Sequence, residues 1–243
     1  SLLLSNFGLN KTFLSFAILI LITQVPLTLI FKVDTKDNKQ LKINQSVKII
    51  DKKFLILYTL FIITTTIGLM IIGLSFQVGV TYYRFNSKSV TLAISLFALF
   101  NGVARPFFGY LIDRYQLIKP SALSLLLIVA AAIISLINQG ENFLLFVTSY
   151  ALFWFNLGAW LTIMPSMVKK YYQIESYSKV YGMLFSAYGI GAIISTIISG
   201  SILDYLGKPT YIYVFIMVLV GIAVVLLYSI KRKDKEESLK KNH

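Results

Sequence analysis

A chain of 243 residues in which 57% of side chains are hydrophobic and only 14% charged carries more apolar surface than one water-soluble core of that size uses, so it reads as membrane-embedded. Its net charge of +13 sits in short segments between apolar runs, where membrane topology places lysine and arginine, and this argues against nucleic acid as a partner. The absence of cysteine excludes disulfides, thiol catalysis and cysteine-based metal sites.

Apolar runs recur at 12–32, 54–76, 89–111, 120–138, 143–167, 179–203 and 210–230. Each is long enough to cross a hydrocarbon core about 30 Å thick as an α-helix. The pattern predicts an all-α membrane protein with seven spans, of which the fourth, SALSLLLIVAAAIISLIN, is the shortest. The longest gap, 33–53, is polar and charged with few aromatics, as a solvated connector would be. It divides the chain as one span plus six. The segment 231–243 is similarly charged and is expected to form a solvated tail. The chain opens on Ser1, and no signal-peptide pattern precedes the first run, so a fragment or a processed chain is expected.

Assigned to alternate sides of the spans, seven of the 23 cations fall in 32–53, two in 113–120, three in 168–179 and six in 231–243, all on one side. Only Lys11, Arg84, Lys88 and Lys208 fall on the other. That asymmetry orients the connector, the Asp113–Lys119 loop and the carboxy-terminus toward the cytosol. Which cellular membrane holds the chain is not encoded in it.

The remaining cation, Arg105, lies inside an apolar run. Eight residues separate it from Asp113 at the expected border, about 12 Å along a helix and close to the midplane. All ten carboxylates lie in loops or at span ends, and the single His is the last residue. A guanidinium at the midplane costs at least about 2.5–3.5 kcal/mol, so it should face a water-filled cavity or the bundle interior. It either binds an anion, for which its planar fork is suited, or fixes helix packing through carbonyls or tyrosine hydroxyls. Gly102, Pro106 and Gly109 around it suggest a bent, closely packed helix. Trp154, Asn156 and Trp160 in the fifth span, and Ser186, Tyr188 and Gly189 in the sixth, are further polar or amphipathic groups at interior depth. The tryptophans also suit packing or interfacial roles, and Tyr82 with Tyr83 suits a lipid-interface belt or an aromatic gate. No phosphate-binding glycine loop, metal-ligand cluster or nucleophile triad is present, so neither an enzyme nor a cofactor is expected.

Gly109-x-x-x-Asp113-Arg114 followed by Lys119 resembles the G-x-x-x-D-R/K-x-G-x-R/K motif of major facilitator transporters, in the copy between their eighth and ninth helices. The preceding NGVARPFFG is similar to the Asn-Gly-x-x-Arg-Pro form of the oxalate/formate antiporter and monocarboxylate-like branch. YGMLFSAYGIGAI, then Gly200, Asp204 and Gly207, resembles that branch's eleventh helix and its turn into the twelfth. Gln116 stands where the motif has its second Gly, so a different loop geometry is expected there.

The resemblance covers about residues 54–230. It implies that 1–32 is the last helix of an amino-terminal bundle, 33–53 the cytosolic central loop, 54–230 the carboxy-terminal six-helix bundle and 231–243 a basic cytosolic tail. It implies a secondary active transporter of a small organic anion working by alternating access, with a small carboxylate, the lipid bilayer and the missing amino-terminal helices as partners. Arg105, Tyr188, Trp154 and Asn101 are then the expected substrate contacts, and Gly109, Asp113 and Arg114 a conformational latch. Branch members that exchange dicarboxylates carry a second basic residue in helix eleven; the matching stretch here offers Tyr188, which favours a monocarboxylate. An inactive or structural membrane fragment and a seven-helix receptor are the alternatives.

Overall fold

The computed structural model describes Lys11, residues 13–15, 17–26 and 50–241, and of 233–241 the backbone only. It divides into two units, Ser1–Asn44 and Gln45–His243. In the first unit the described residues are helical, and the stretch Phe13–Pro26 is apolar. The rest of the expected 12–32 span and the connector up to residue 49 lie outside the described residues.

The second unit is built from helices alone among the described residues. Helix α1 (Lys52–Gln77) runs into one π-helical turn, Val78–Tyr82, and is followed by α2 (Ser87–Tyr115), α3 (Ile118–Asn138), α4 (Phe143–Tyr171), α5 (Ile174–Leu206) and α6 (Thr210–Lys241). Six of the expected spans are thereby present, each long and apolar enough to cross a membrane. Where hydrocarbon offers no hydrogen bonds, a helix must satisfy its own backbone, and its ends need separate partners. Asp51 accepts from Phe54 N at 2.7 Å, Asn86 from Lys88 N at 2.9 Å, and Asn142 from Leu144 N at 2.8 Å. Gly207, at φ +67°, closes α5 in the left-handed conformation glycine accepts without strain.

Two boundaries differ from the sequence-based expectation. Helix α5 starts at Ile174 instead of near 179, with Glu175 in its first turn, where a carboxylate complements the helix dipole. Helix α6 continues through the charged segment to Lys241, where a solvated tail was expected. Its Lys, Arg and Glu residues are good helix formers, and Arg232, Glu236 and Lys240 succeed one another at four-residue spacing, which favours a helix even in water.

The helices pack as a row, α2 against α4, α4 against α1 and α1 against α5, with α3 against α4 and α6, and α6 also against α1. The inner members are therefore the most enclosed. In their apolar stretches α1 and α4 are 61% and 56% buried, against 22% for α2 and 28% for α5, which present open faces. Glycines set the closest crossings. A Cβ on Gly158 of α4 would overlap the carbonyl oxygen of Asn101 on α2, and one on Gly191 of α5 would overlap Thr65 Oγ1 on α1. Buried polar groups lock the crossings: Ser124 Oγ of α3 donates to Asn156 Oδ1 of α4 at 2.6 Å, and Thr66 Oγ1 donates to Gly191 O at 3.4 Å. At the end of the bundle that holds the π-helical turn, the phenols of Tyr83, Tyr213 and Tyr150 form a chain with O···O distances of 3.1 and 3.0 Å. That chain ties Tyr83 to α4 and α6 through its hydroxyl.

Candidate functional site

Helix α2 carries three stripes, which at about 100° per residue lie roughly 120° apart. Val90, Ala93, Phe97, Ala104 and Phe108 are buried against the bundle. Leu92, Leu96, Leu99, Val103, Phe107 and Tyr110 form an exposed apolar stripe. Between them runs a third stripe of small and polar residues, Thr91, Ser95, Ala98, Gly102, Arg105, Gly109 and Asp113, all exposed except the half-buried Gly109. Arg105 thus shares no face with the leucines. Its neighbours at i−3 and i+4 are glycines, which leave the guanidinium room, and a Cβ on Gly102 would meet nothing within 4 Å. The helix runs unbroken through Pro106.

A relay of hydrogen bonds backs this surface. Asn101 Nδ2 donates to Trp154 O at 2.9 Å, Trp154 Nε1 donates to Ser75 Oγ at 3.1 Å, and Ser75 Oγ donates to Ile71 O at 2.7 Å. One turn further along, Thr162 Oγ1 donates to Arg105 O at 3.4 Å. Asn101 and Trp154, singled out separately in the sequence, are therefore joined across the α2–α4 pair, while Arg105 meets α4 through its backbone carbonyl at Thr162. Ser75 and Thr162 complete the arrangement and were not singled out, because one hydroxyl in an apolar run carries no sequence signal of its partner. The indole N–H of Trp154 is already committed, so the side chain offers a ligand its ring face and edge. The remaining expected contact, Tyr188, lies on α5, stacked on Phe185 at 5.5 Å and tilted against Phe61 of α1 at 6.4 Å.

In the loop-proximal motif, Gly109 faces Thr162 of α4, whose Cγ2 would lie 4.0 Å from an added Cβ. Asp113 is exposed. Arg114 Nη1 donates to Tyr110 Oη at 2.8 Å and its guanidinium lies over the Tyr115 ring at 5.6 Å, both within its own helix. Gln116, in the place of the motif's second glycine, has φ 62° and ψ 177°. That is a glycine-like backbone, in a region other residues enter only under strain.

A feature the sequence did not announce is a groove of about 320 Å³ between α1 and α5, lined among others by Gln77, Ser195, Thr196, Ser199 and Asp204. Its hydroxyls donate back to carbonyls of their own helix, at Ala192 and Thr196, so they offer the groove acceptor lone pairs. Among the described residues no group of three or more histidines or carboxylates could hold a metal.

Six membrane-crossing helices in a cysteine-free bundle, with one arginine on an open small-residue stripe, define a multi-pass membrane protein. Residues 53–243 match the Major Facilitator Superfamily, and the chain belongs to that superfamily. It is similar to an uncharacterized MFS-type transporter, YhjX, of Escherichia coli (strain K12), with 24% identity over 209 residues, covering 79% of this chain and 49% of that protein. The chain thus spans about half the length of the curated relative it matches.

Proposed function

We propose that the chain is the carboxy-terminal part of a secondary active transporter that moves a small organic anion, a monocarboxylate, by alternating access, in the manner of the oxalate/formate antiporter and monocarboxylate-like branch. Members of the superfamily are transporters and not enzymes. One observation carries the anion: the mid-helix cation of α2 stands on an exposed stripe of small and polar side chains, while the carboxylates of the sequence lie in loops or at helix ends. A guanidinium exposed to hydrocarbon at that depth costs at least about 2.5–3.5 kcal/mol, so the stripe faces water or protein, and an anion entering there meets a bidentate donor.

In this scheme Arg105 holds the carboxylate, and Asn101 and Trp154, fixed by the relay to Ser75, form the wall beside it. Tyr188 supplies a hydroxyl from α5. Gly109, Asp113 and Arg114 form a latch on the cytosolic side that biases the outward-open state. Residues 1–32 end an amino-terminal bundle, 33–53 form the central cytosolic loop, and substrate binds between the two bundles, which rock about it. The lysine-rich ends of the helices orient the connector and the carboxy-terminus to the cytosol.

The test is uptake of radiolabelled lactate or formate by vesicles holding the protein together with its preceding helices. Arg105→Gln and Arg105→Lys should abolish or sharply reduce uptake and carboxylate binding while insertion and tryptophan fluorescence stay normal. Uptake by Arg105→Gln at the parent rate removes the proposal; absence of flux and carboxylate binding in the parent favours a structural membrane protein. For the latch, Asp113→Asn should shift accessibility labelling away from the outward-open state, and an unaltered balance in a transporting protein refutes it.

A further inference from the structure

Helices α1 and α5 meet closely at one level and separate beyond it. At the crossing a Cβ on Gly191 would overlap Thr65 Oγ1. About two turns nearer the π-helical end, a Cβ on Gly73 of α1 or Gly200 of α5 would meet nothing within 4 Å. The opening between the diverging helices is the groove of about 320 Å³ described above.

Its lining is divided by chemistry. Leu69, Met70 and Leu74 give α1 an apolar wall along the groove. The α5 wall nearest the crossing carries Ser195 and Ser199, 3% and 7% exposed, with Thr196 between them. Each of these hydroxyls spends its proton on a carbonyl of its own helix, at 2.8, 3.3 and 3.0 Å respectively, which leaves only lone pairs for a visitor. At the far end stand Asp204 and Gln77, both exposed. Among the described residues neither of these side chains has a hydrogen-bond or ion-pair partner, and Lys208, four positions beyond Asp204, does not pair with it.

The groove therefore holds one uncompensated carboxylate, a row of acceptor oxygens and no cation. Such a lining repels anions and favours a ligand that brings positive charge and hydrogen-bond donors. Spacing narrows the class further. Asp204 is five residues from Ser199 and nine from Ser195, about 7.5 and 13.5 Å along the helix. A bare metal ion would meet one end of this row and leave the other unused. A linear molecule with an ammonium at one end and a second donor at the other meets both, and its methylene chain lies along the leucines and Met70. A lipid amine fits less well, because its acyl chains would press on the buried hydroxyls.

We propose that the α1–α5 groove binds a linear amine with a second donor at its far end, a diamine or an amino alcohol, from the aqueous phase. The ammonium lies at Asp204 and Gln77 Oε1, and the far donor reaches the hydroxyls of Ser195, Thr196 and Ser199. The site is opposite in charge to the Arg105 stripe and does not depend on what that stripe binds.

The experiment measures equilibrium binding of radiolabelled cadaverine to the chain in phosphatidylcholine nanodiscs, with empty discs subtracted. Binding should saturate, and aminopentanol should displace it. Pentylamine, which lacks the far donor, should need a concentration on the order of tenfold higher than aminopentanol, the worth of a hydrogen bond to a buried group. Pentanoate should not compete. Asp204→Asn should weaken cadaverine binding on the order of tenfold or more, and Asp204→Glu should keep most of it. Gly200→Leu fills the groove where an added Cβ has room, so it should abolish binding while the unfolding midpoint by tryptophan fluorescence stays near the parent's. Ser195→Ala/Ser199→Ala should erase the advantage of aminopentanol over pentylamine and leave pentylamine affinity unchanged. Glu175→Gln, at the opposite end of α5, should bind as the parent does. The proposal is overturned if cadaverine binding does not saturate, if pentylamine competes as well as aminopentanol, or if Asp204→Asn binds like the parent. It is also overturned if sodium chloride in place of choline chloride displaces the amine, which makes the groove an alkali-ion site, or if phosphatidylethanolamine in the discs blocks it, which gives the groove to lipid. Should Asp204→Asn fail to fold, Gly200→Leu decides: undiminished cadaverine binding there refutes the site.

Discussion

The crossing of α2 and α4 makes a sharp demand on one atom. A methyl group on Gly158 would overlap the Asn101 carbonyl oxygen and approach Ala104 Cβ to 2.9 Å, so Gly158→Ala cannot be accommodated without separating the helices. Overpacking of a tight core costs about 1–3 kcal/mol. Separation also stretches the hydrogen bond from Asn101 Nδ2 to Trp154 O, now 2.9 Å, and interhelical hydrogen bonds in membranes are worth about 0.6–1.7 kcal/mol. The better helix propensity of alanine, about 1 kcal/mol, offsets part of this, so the expected loss is about 1–4 kcal/mol. Gly102→Ala is the matched control: a Cβ there meets nothing within 4 Å, and alanine is about 1 kcal/mol better than glycine inside a helix. Both tryptophans lie on α4, so unfolding of detergent-solubilised protein by increasing sodium dodecyl sulfate can be followed by fluorescence at this crossing. If Gly158→Ala keeps the parent's stability, or Gly102→Ala falls as far, the packing at this crossing is not what the geometry describes.

Three further outcomes follow from the same structure. Gln116→Gly should stabilise the chain by about 1 kcal/mol, relief of backbone strain at φ 62° exceeding the added freedom of the unfolded chain, whereas a β-branched Gln116→Val should destabilise it in the same titration. Asn156→Leu should cost about 1–2 kcal/mol, because it strands the Ser124 hydroxyl that now donates to Asn156 at 2.6 Å; restoring stability with Ser124→Ala in the same protein would confirm that the stranded group is the cause. The Tyr172 phenol is pushed above its ordinary range, first by burial and then by the Asp51 carboxylate it bonds. Its native pKa being raised, its stabilising contribution is complete below about pH 10 and is lost as the pH climbs beyond that value. Spectrophotometric titration at 295 nm should show one late-titrating phenol missing in Tyr172→Phe; an unchanged late fraction contradicts the assignment.

The order and approximate limits of six of the seven expected crossing helices were legible without coordinates, because burial in hydrocarbon is a local requirement that each segment meets alone through length and apolarity. The six runs from 54 to 230 became α1 to α6 on that ground. The isolation of Arg105 was legible for the same reason, since a charge inside an apolar run is visible in one dimension. Its surroundings were not. That Gly102 and Gly109 share its stripe while Leu99, Val103 and Phe107 do not follows from helical period, but which stripe is open follows from how α2 leans on α4. The glycine-like backbone at Gln116 was not legible in the residue itself, because loop geometry is imposed by the two helices it joins and not only by the residue that occupies it. Asn101, Trp154 and Ser75 form a relay only because three helices cross at one level, and Lys53 reaches Tyr171 only because α1 begins where α4 ends. Composition and periodicity determine which segments enter the membrane and which side chains are out of place there; contacts between helices far apart in sequence decide which of those side chains meet, since hydrogen bonds and close glycine crossings depend on distances that no single segment contains.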